Sequence, residues 1–441
     1  MAIPWSPATR TAAAPGSSSG WYPVAHSAEV STTPVQVGAG GRAYVVVRLT
    51  ADGEVTAVSA RCPHRLVPLV AAGVVDGHLQ CPYHGWRFNA EGRCVEIPSL
   101  GPDGTPPPRA DLTVPWAVEE RDGWVWLAPE RTATLRPPRS GGSRPAPDPE
   151  PVPDPAPPSG PVFGNLDPSL TRAWHPVALA DELVDGGYVQ ARLLGRTWTV
   201  HRRDGELDAD PPAWGVQERY GVVWLAPDEP QGPVLAVPEA EDPRFAAAWL
   251  PPARSAAPAG PLADTLLDVA HVPFVHAGTT GTSAEEVPAH VVTPEAGGFR
   301  SVQEHWSDRG AGRRRATSVY RVPFQLLRRL EEPATGTVRT VLFLLQPEDR
   351  DSTRIYTCVL LCAGDAGAVP GDVLAVAVTH QEELLAEDLA LHARMDSQGL
   401  PLLLRDELHV PADRLGVALR RALADFAAAG ATADLPDRAS A

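Results

Sequence analysis

The chain has 441 residues, a formal net charge of −16 and 43% hydrophobic content, enough for about two to four globular domains. The acidic balance argues against a nucleic-acid partner, and no uninterrupted apolar run is long enough to cross a membrane. Five cysteines in so long a chain do not form a disulfide framework. Every Lys-or-Arg position is Arg, which with the Ala and Pro excess reads as codon bias. The first twenty residues lack a basic stretch followed by an apolar run, so no secretory signal is read there and a cytoplasmic location is expected.

Residues 20–131 are rich in Val, Trp and short Gly-bounded runs, the pattern of antiparallel β structure. Gly38-Ala39-Gly40-Gly41 is not followed by a helical pattern, so it reads as a hairpin turn and not a dinucleotide loop. Two loops stand out here, Cys62-Pro63-His64 and Cys81-Pro82-Tyr83-His84-Gly85-Trp86. Structural zinc sites pair ligands of one type, C-x-x-C with H-x3-H. Here each loop supplies one Cys and one His. That division suits a [2Fe–2S] cluster with two Cys on one iron and two His on the other, the Rieske arrangement. Structural zinc is the competing reading. Cys94, Cys358 and Cys362 read as buried structural thiols.

Residues 132–163 form a Pro-rich linker, with Pro at every second position from Pro145 to Pro157. Beyond it, motifs of the first domain recur. Trp21-Tyr22-Pro23-Val24-Ala25 is echoed by Trp174-His175-Pro176-Val177-Ala178. The segment 116–129 matches 214–227 at ten of fourteen positions. The first and last Trp lie 105 positions apart in the first copy (Trp21 to Trp126) and 50 in the second (Trp174 to Trp224). The 55 missing residues are those that carry the cluster loops, and the second copy has no cysteine. Residues 164–235 are therefore expected to be a degenerate, cluster-less copy of the first domain. Residues 236–430 are expected to form a third domain.

In that third domain, Asp264, Asp268 and His271 lie three or four residues apart and would share one helix face. Pro273 is expected to kink or end the helix and let the following backbone swing His276 back toward His271. Two imidazoles and one carboxylate form the facial triad of non-haem Fe(II) sites. The carboxylate is expected from the amphipathic helix over 376–397, which carries an apolar stripe through Leu384, Leu385 and Leu391. Asp388 is the candidate, with Glu387 and Asp396 as competitors that spacing alone does not separate. Arg313-Arg314-Arg315 and Arg328-Arg329 read as solvated hairpin charges, against docking or substrate binding.

The two Cys-and-His loops, with Asp264-x3-Asp268-x2-His271-x4-His276 and the Glu387-Asp388-Leu389 segment, resemble the Rieske non-haem iron oxygenases. The 266–276 run looks most like the vanillate O-demethylase-like branch. The resemblance implies an α+β chain with a β-rich Rieske domain (20–131) and a catalytic domain whose curved antiparallel sheet is flanked by helices. Between them the chain adds the second, cluster-less Rieske-like β domain. It implies a [2Fe–2S] cluster on Cys62, His64, Cys81 and His84, and a mononuclear Fe(II) on His271, His276 and Asp388. Asp268 would be the catalytic acid linking the two centres, by accepting from a histidine of each. O2 would be the cosubstrate. Electrons would come from NAD(P)H through a separate ferredoxin or flavin reductase. The implied assembly is a homotrimer, in which one subunit's cluster serves its neighbour's iron.

The expected activity is hydroxylation, demethylation or oxidative cyclisation of a small organic molecule, by mono- or dioxygenation, in catabolism or secondary metabolism. A second hypothesis is a Rieske electron-transfer or binding protein with a vestigial iron site. A third makes 164–235 a separable binding module. Three departures from the resemblance stand out. Thr265 replaces a common Asn, Leu66-Val67 replaces a small pair, and the interval from His84 to His271 is long.

Overall fold

The computed structural model describes residues 19–139, 158–281, 287–306, 313–395 and 397–433. The chain divides into two compact units, residues 1–97 with 104–156, and residues 98–103 with 157–441.

The first unit is built from ten short strands: β1 (Tyr22–His26), β2 (Val35–Ala39), β3 (Arg42–Arg48), β4 (Val55–Ser59), β5 (Gly73–Val75), β6 (His78–Gln80), β7 (Arg87–Phe88), β8 (Cys94–Glu96), β9 (Ala117–Arg121) and β10 (Trp124–Ala128). They form antiparallel sheets ordered β1-β10-β9, β2-β3-β4 and β5-β6-β7-β8. The β2–β3 hairpin turns on Gly40 and Gly41, at φ +57° and +71°, with Ala39 opposite Arg42. A two-residue turn of this hand needs left-handed backbone at both positions, which glycine adopts without steric cost. Alternation along the strands sends Val37, Tyr44, Val46, Val125 and Leu127 into one core. The β5–β8 sheet follows the first Cys-and-His loop, and the second loop connects β6 to β7.

The second unit opens with β11 (Val162–Phe163), then β12 (His175–Leu179), β13 (Tyr188–Leu193), β14 (Arg196–Arg203), β15 (Glu206–Asp210), β16 (Gly215–Arg219) and β17 (Val222–Ala226). The sheet β12-β17-β16 repeats β1-β10-β9, and β13-β14-β15 repeats β2-β3-β4. The correspondence reaches single residues. Pro176 faces Trp224 as Pro23 faces Trp126, and the register slips at the same place in both pairs. Trp224 Nε1 donates to Arg219 O at 3.2 Å, as Trp126 Nε1 donates to Arg121 O at 3.3 Å. The core follows suit, with Ala191, Trp198, Val200, Val223 and Leu225 in the corresponding places. Among the described residues no counterpart of the β5–β8 sheet is found: the chain passes from Asp210 to Gly215 where the first unit inserts its two Cys-and-His loops.

The remaining strands form a large antiparallel sheet. They are β18 (Ala246–Trp249), β19 (Ala253–Ser255), β20 (His290–Glu295), β21 (Gly298–Trp306), β22 (Arg313–Arg321), β23 (Gln325–Glu332), β24 (Thr337–Asp349) and β25 (Ser352–Cys362). Its order is β18-β25-β24-β23-β22-β21-β20, with β19 also on β25. A further short strand, β26 (Leu400–Pro401), pairs with β11. One sheet face packs Leu327, Leu342, Leu344, Tyr356 and Leu360 against Leu179, Val222 and Trp224 of the 164–235 segment. That shared core argues against a separable module: excising 164–235 would expose this face to water.

The other face carries the helices α1 (Ala259–Leu267), α2 (Val272–Val275), α3 (Ala277–Thr280), α4 (Gly371–His392) and α5 (Arg414–Ala433). Leu262, Leu267, Leu385, Leu419 and Phe426 pack there on Phe299, Tyr320, Leu326 and Phe343. Arg420 of α5 is fully buried and holds Asp264 through two bonds of 2.9 Å. Asp264 is thus tied to α5, and its role is structural.

Candidate metal centres

The two loops of the first unit share one backbone design. Cys62 N–H donates to Val67 O at 3.0 Å and Leu66 N–H to Cys62 O at 3.0 Å. In the second loop Cys81 N–H donates to Trp86 O at 2.9 Å and Gly85 N–H to Cys81 O at 3.1 Å. Each loop bends back through a left-handed residue, Leu66 at φ +56° and Gly85 at +68°. The bend turns the four candidate side chains inward, and all four are buried. His64 Nδ1 and His84 Nδ1 stand 3.1 Å apart. Burial and the adjacent Cys81 sulfur push the Cys62 thiol well up. His64 stacks on Trp86, ring centroids 4.6 Å apart at an interplanar angle of 11°. A buried pair of sulfurs, Cys62 with Cys81, and a buried pair of imidazoles, His64 with His84, fit the mixed donor set of a Rieske cluster.

In the second unit the helix break differs from expectation. α1 ends at Leu267, and Asp268 is already extended at φ −67°, ψ 137°. Asp268 Oδ1 accepts from Ala270 N–H at 2.6 Å. This local bond competes with helix continuation. Pro273 sits in the first turn of α2 and so helps to start a helix. The outcome for the histidines is as expected: His271 Nε2 and His276 Nε2 meet at 3.1 Å.

Asp388 of α4 completes the group. Its Oδ1 lies 3.5 Å from His271 Nε2 and 3.2 Å from His276 Nε2. Metal–ligand bonds of about 2.1 Å at right angles would set ligand atoms about 3.0 Å apart. The three residues therefore fit a facial triad, and all three are buried. Burial disfavours the Asp388 carboxylate, but hydrogen bonds to His271 and His276 outweigh it and hold the group at about 2. Burial likewise opposes charge on His271, yet Asp268 and Asp388 lift its ring to about 9. Such a concentration of negative charge around two imidazoles suits a cation.

Glu387, a competitor for the third ligand, has a different place. Its Oε2 is 2.6 Å from His276 Nδ1, and its Oε1 accepts from Thr279 Oγ1 at 2.6 Å. It orients the ring from behind. Asp268 Oδ1 stands 3.9 Å from His271 Nδ1. Thr265 is buried and bonds His392 Nε2 at 2.8 Å. Asp396 lies outside the described residues. The arginine pair corrects the reading of solvated hairpin charges. Arg329 is ion-paired with Glu239 at 3.2 Å and Glu331 at 2.7 Å, while Arg328 belongs to the opposite, helix-bearing face.

Known proteins supply the remaining context. A Rieske [2Fe–2S] domain matches residues 20–114, and the vanillate O-demethylase oxygenase C-terminal domain matches residues 255–429. Carrying both of these domains, the chain belongs to the Rieske oxygenases. The protein TIC 55 of Arabidopsis thaliana chloroplasts is 28% identical over 45% of this chain and 34% of its own length. The oxygenase component of dicamba O-demethylase from Stenotrophomonas maltophilia is 38% identical over 26% of this chain and 33% of its own. The chain thus spans about a third of the length of these relatives, and its activity, substrate and partners are proposals. Among solved structures, the Pseudomonas putida CBB5 NdmA QL mutant with theobromine aligns over 93% of this chain and 91% of its own, at 19% identity and a TM-score of 0.43.

Proposed function

We propose that the chain is the oxygenase component of a Rieske non-haem iron system that oxidises a small organic molecule with O2. Electrons would come from NAD(P)H through a separate ferredoxin or flavin reductase. The observation that carries this reading is the convergence of His271 Nε2, His276 Nε2 and Asp388 Oδ1 within one buried group. A mononuclear Fe(II) held there would supply O2 chemistry, with a [2Fe–2S] cluster on Cys62, His64, Cys81 and His84 supplying electrons one at a time. The chain's own residues do the positioning. Glu387 holds the His276 ring with Nε2 facing inward. The buried walls keep bulk water from the ligand group.

Dicamba O-demethylase and chloroacetanilide N-alkylformylase are among the similar oxygenase components, which supports oxidative removal of a carbon substituent as the reaction class. Asp268 is the proposed link for electron entry, supported by its carboxylate beside the Nδ1 edge of His271. Asp268→Asn should keep both metals and slow reduction of the oxygenase centre; unchanged turnover would exclude the role. The homotrimer belongs to the same proposal, and light scattering tests it. We also propose that 164–235 is a duplicated Rieske-like domain that lost its cluster and serves as the cover of the catalytic sheet. The repeated sheets and the Trp224 contact support it. The direct test of the function is Asp388→Ala, which should lose the mononuclear iron and retain the cluster's visible absorption.

A further inference from the structure

The helix-bearing face of the large sheet changes character along its length. Where α1 and α5 lie, a cross-strand row reads Phe299, Tyr320, Leu326, Phe343, the apolar core. Two residues further along each strand the same face reads Val292, Ser301, Ser318, Arg328, Val341. The next row is His290, Gln303, Ala316, Leu330, Arg339. Ser301, Gln303, Ser318 and His290 are buried. A polar floor at the position of a sheet core requires a reason.

Arg339 ties this floor to the iron helix. Its Nη2 donates to Gln381 Oε1 of α4 at 2.9 Å. Gln381 precedes Asp388 by seven residues, two turns, so the two share a helix face. Arg328 is Arg339's diagonal neighbour across the β23–β24 pair. Among the described residues the Arg328 guanidinium has no hydrogen bond and no ion pair, and neither do the hydroxyls of Ser301 and Ser318. Asp268 is near enough to act on Arg328 electrostatically but is not paired with it. Burial pushes both guanidiniums down, and the charge of Arg328 adds to the effect on Arg339. Two neighbouring, half-buried guanidiniums without a carboxylate partner among the described residues repel one another, and an anion between them would relieve that. Arg329, one residue on, shows the contrast, with two carboxylates on the other face.

We propose that this floor recognises the substrate and that Arg328, flanked in register by Ser318 and Ser301, binds a carboxylate group on it. A guanidinium offers the planar fork that a carboxylate accepts in two bonds, and the serine hydroxyls add donors beside it. This rests on the oxygenase reading above.

The test uses the full chain loaded with cluster and Fe(II), titrated calorimetrically with benzoate and with its neutral isostere benzamide. Benzoate should bind at least about tenfold more tightly than benzamide, the worth of a charged hydrogen bond. Arg328→Gln should abolish that preference and Arg328→Lys should retain part of it. Arg329→Gln should leave it unchanged. Iron content and the cluster's absorption confirm that each variant is folded. Equal binding of the two probes, no benzoate binding, or an undiminished preference in Arg328→Gln would overturn the proposal. Absence of iron on His271, His276 and Asp388 would instead overturn the oxygenase reading.

Discussion

Glu387 Oε2 stands 2.6 Å from Nδ1 of His276, on the ring edge opposite the Nε2 that faces Asp388. Two consecutive acids of one helix thus grip the same imidazole from both sides. A carboxylate behind a ligating histidine fixes its tautomer and raises its basicity. Glu387→Gln should therefore weaken mononuclear iron binding by about 10- to 100-fold, with the cluster unaffected. Iron titration of the apo second site, followed by metal analysis, checks this. Equal affinity in the variant would mean that Glu387 serves only Thr279.

Leu66 occupies the left-handed position that Gly85 fills in the partner loop. A non-glycine residue there costs about 1–2 kcal/mol, and glycine gives back about 0.5–1 kcal/mol in unfolded-state entropy. The exposed Leu66 side chain has little packing to lose. Leu66→Gly should stabilise the first unit by about 0.5–1 kcal/mol. The denaturant midpoint of the cluster's absorption is the readout.

His175 is fully buried, donates from Nε2 to Leu170 O at 2.7 Å, and burial lowers its ring to about 4. Its folded value lies below the unfolded value of about 6.5. The unfolded chain therefore takes up a proton first as pH falls, and stability is lost from about pH 6.5 down to about pH 4. The loss from this residue should reach about 2–3 kcal/mol by pH 4.5. His175→Gln should flatten the acid limb of the second unit's stability profile. Parallel profiles for the two proteins would show that folding leaves the proton affinity of His175 unchanged.

Trp224 is completely buried where the 164–235 segment meets the catalytic sheet. Trp224→Ala should cost about 3–5 kcal/mol, and the loss should appear in the catalytic unit, since the two share one core. A calorimetric transition for 164–235 separate from that of the catalytic unit would contradict the covering role.

The candidate ligand residues could be singled out because their spacing is local: each loop brings its own Cys and His, and His271 and His276 are five residues apart. The repeat of the β1-β10-β9 sheet as β12-β17-β16 was legible because the Trp116–Pro129 hairpin recurs almost intact. The core it shares with the large sheet was not, since only tertiary packing brings Trp224 together with Leu327 and Leu342. Choosing between Glu387 and Asp388 needed the fold as well. Adjacent helix positions point in different directions, and only the seating of α4 decides which acid meets Nε2. The end of α1 was misplaced by crediting Pro273 with a break that the Asp268 carboxylate makes. The polar floor was invisible for another reason. Ser301, Ser318 and Arg328 lie on three strands and align only once the register is known.

One chain is expected to hold two different iron centres, a [2Fe–2S] cluster and a mononuclear Fe(II). Electron paramagnetic resonance on the purified, iron-reconstituted protein tests it most directly. The dithionite-reduced sample should give a Rieske signal, and the Fe(II) sample treated with nitric oxide should give a separate mononuclear signal that Asp388→Ala removes. A Rieske signal alone, or a nitric oxide signal that survives Asp388→Ala, would contradict the account.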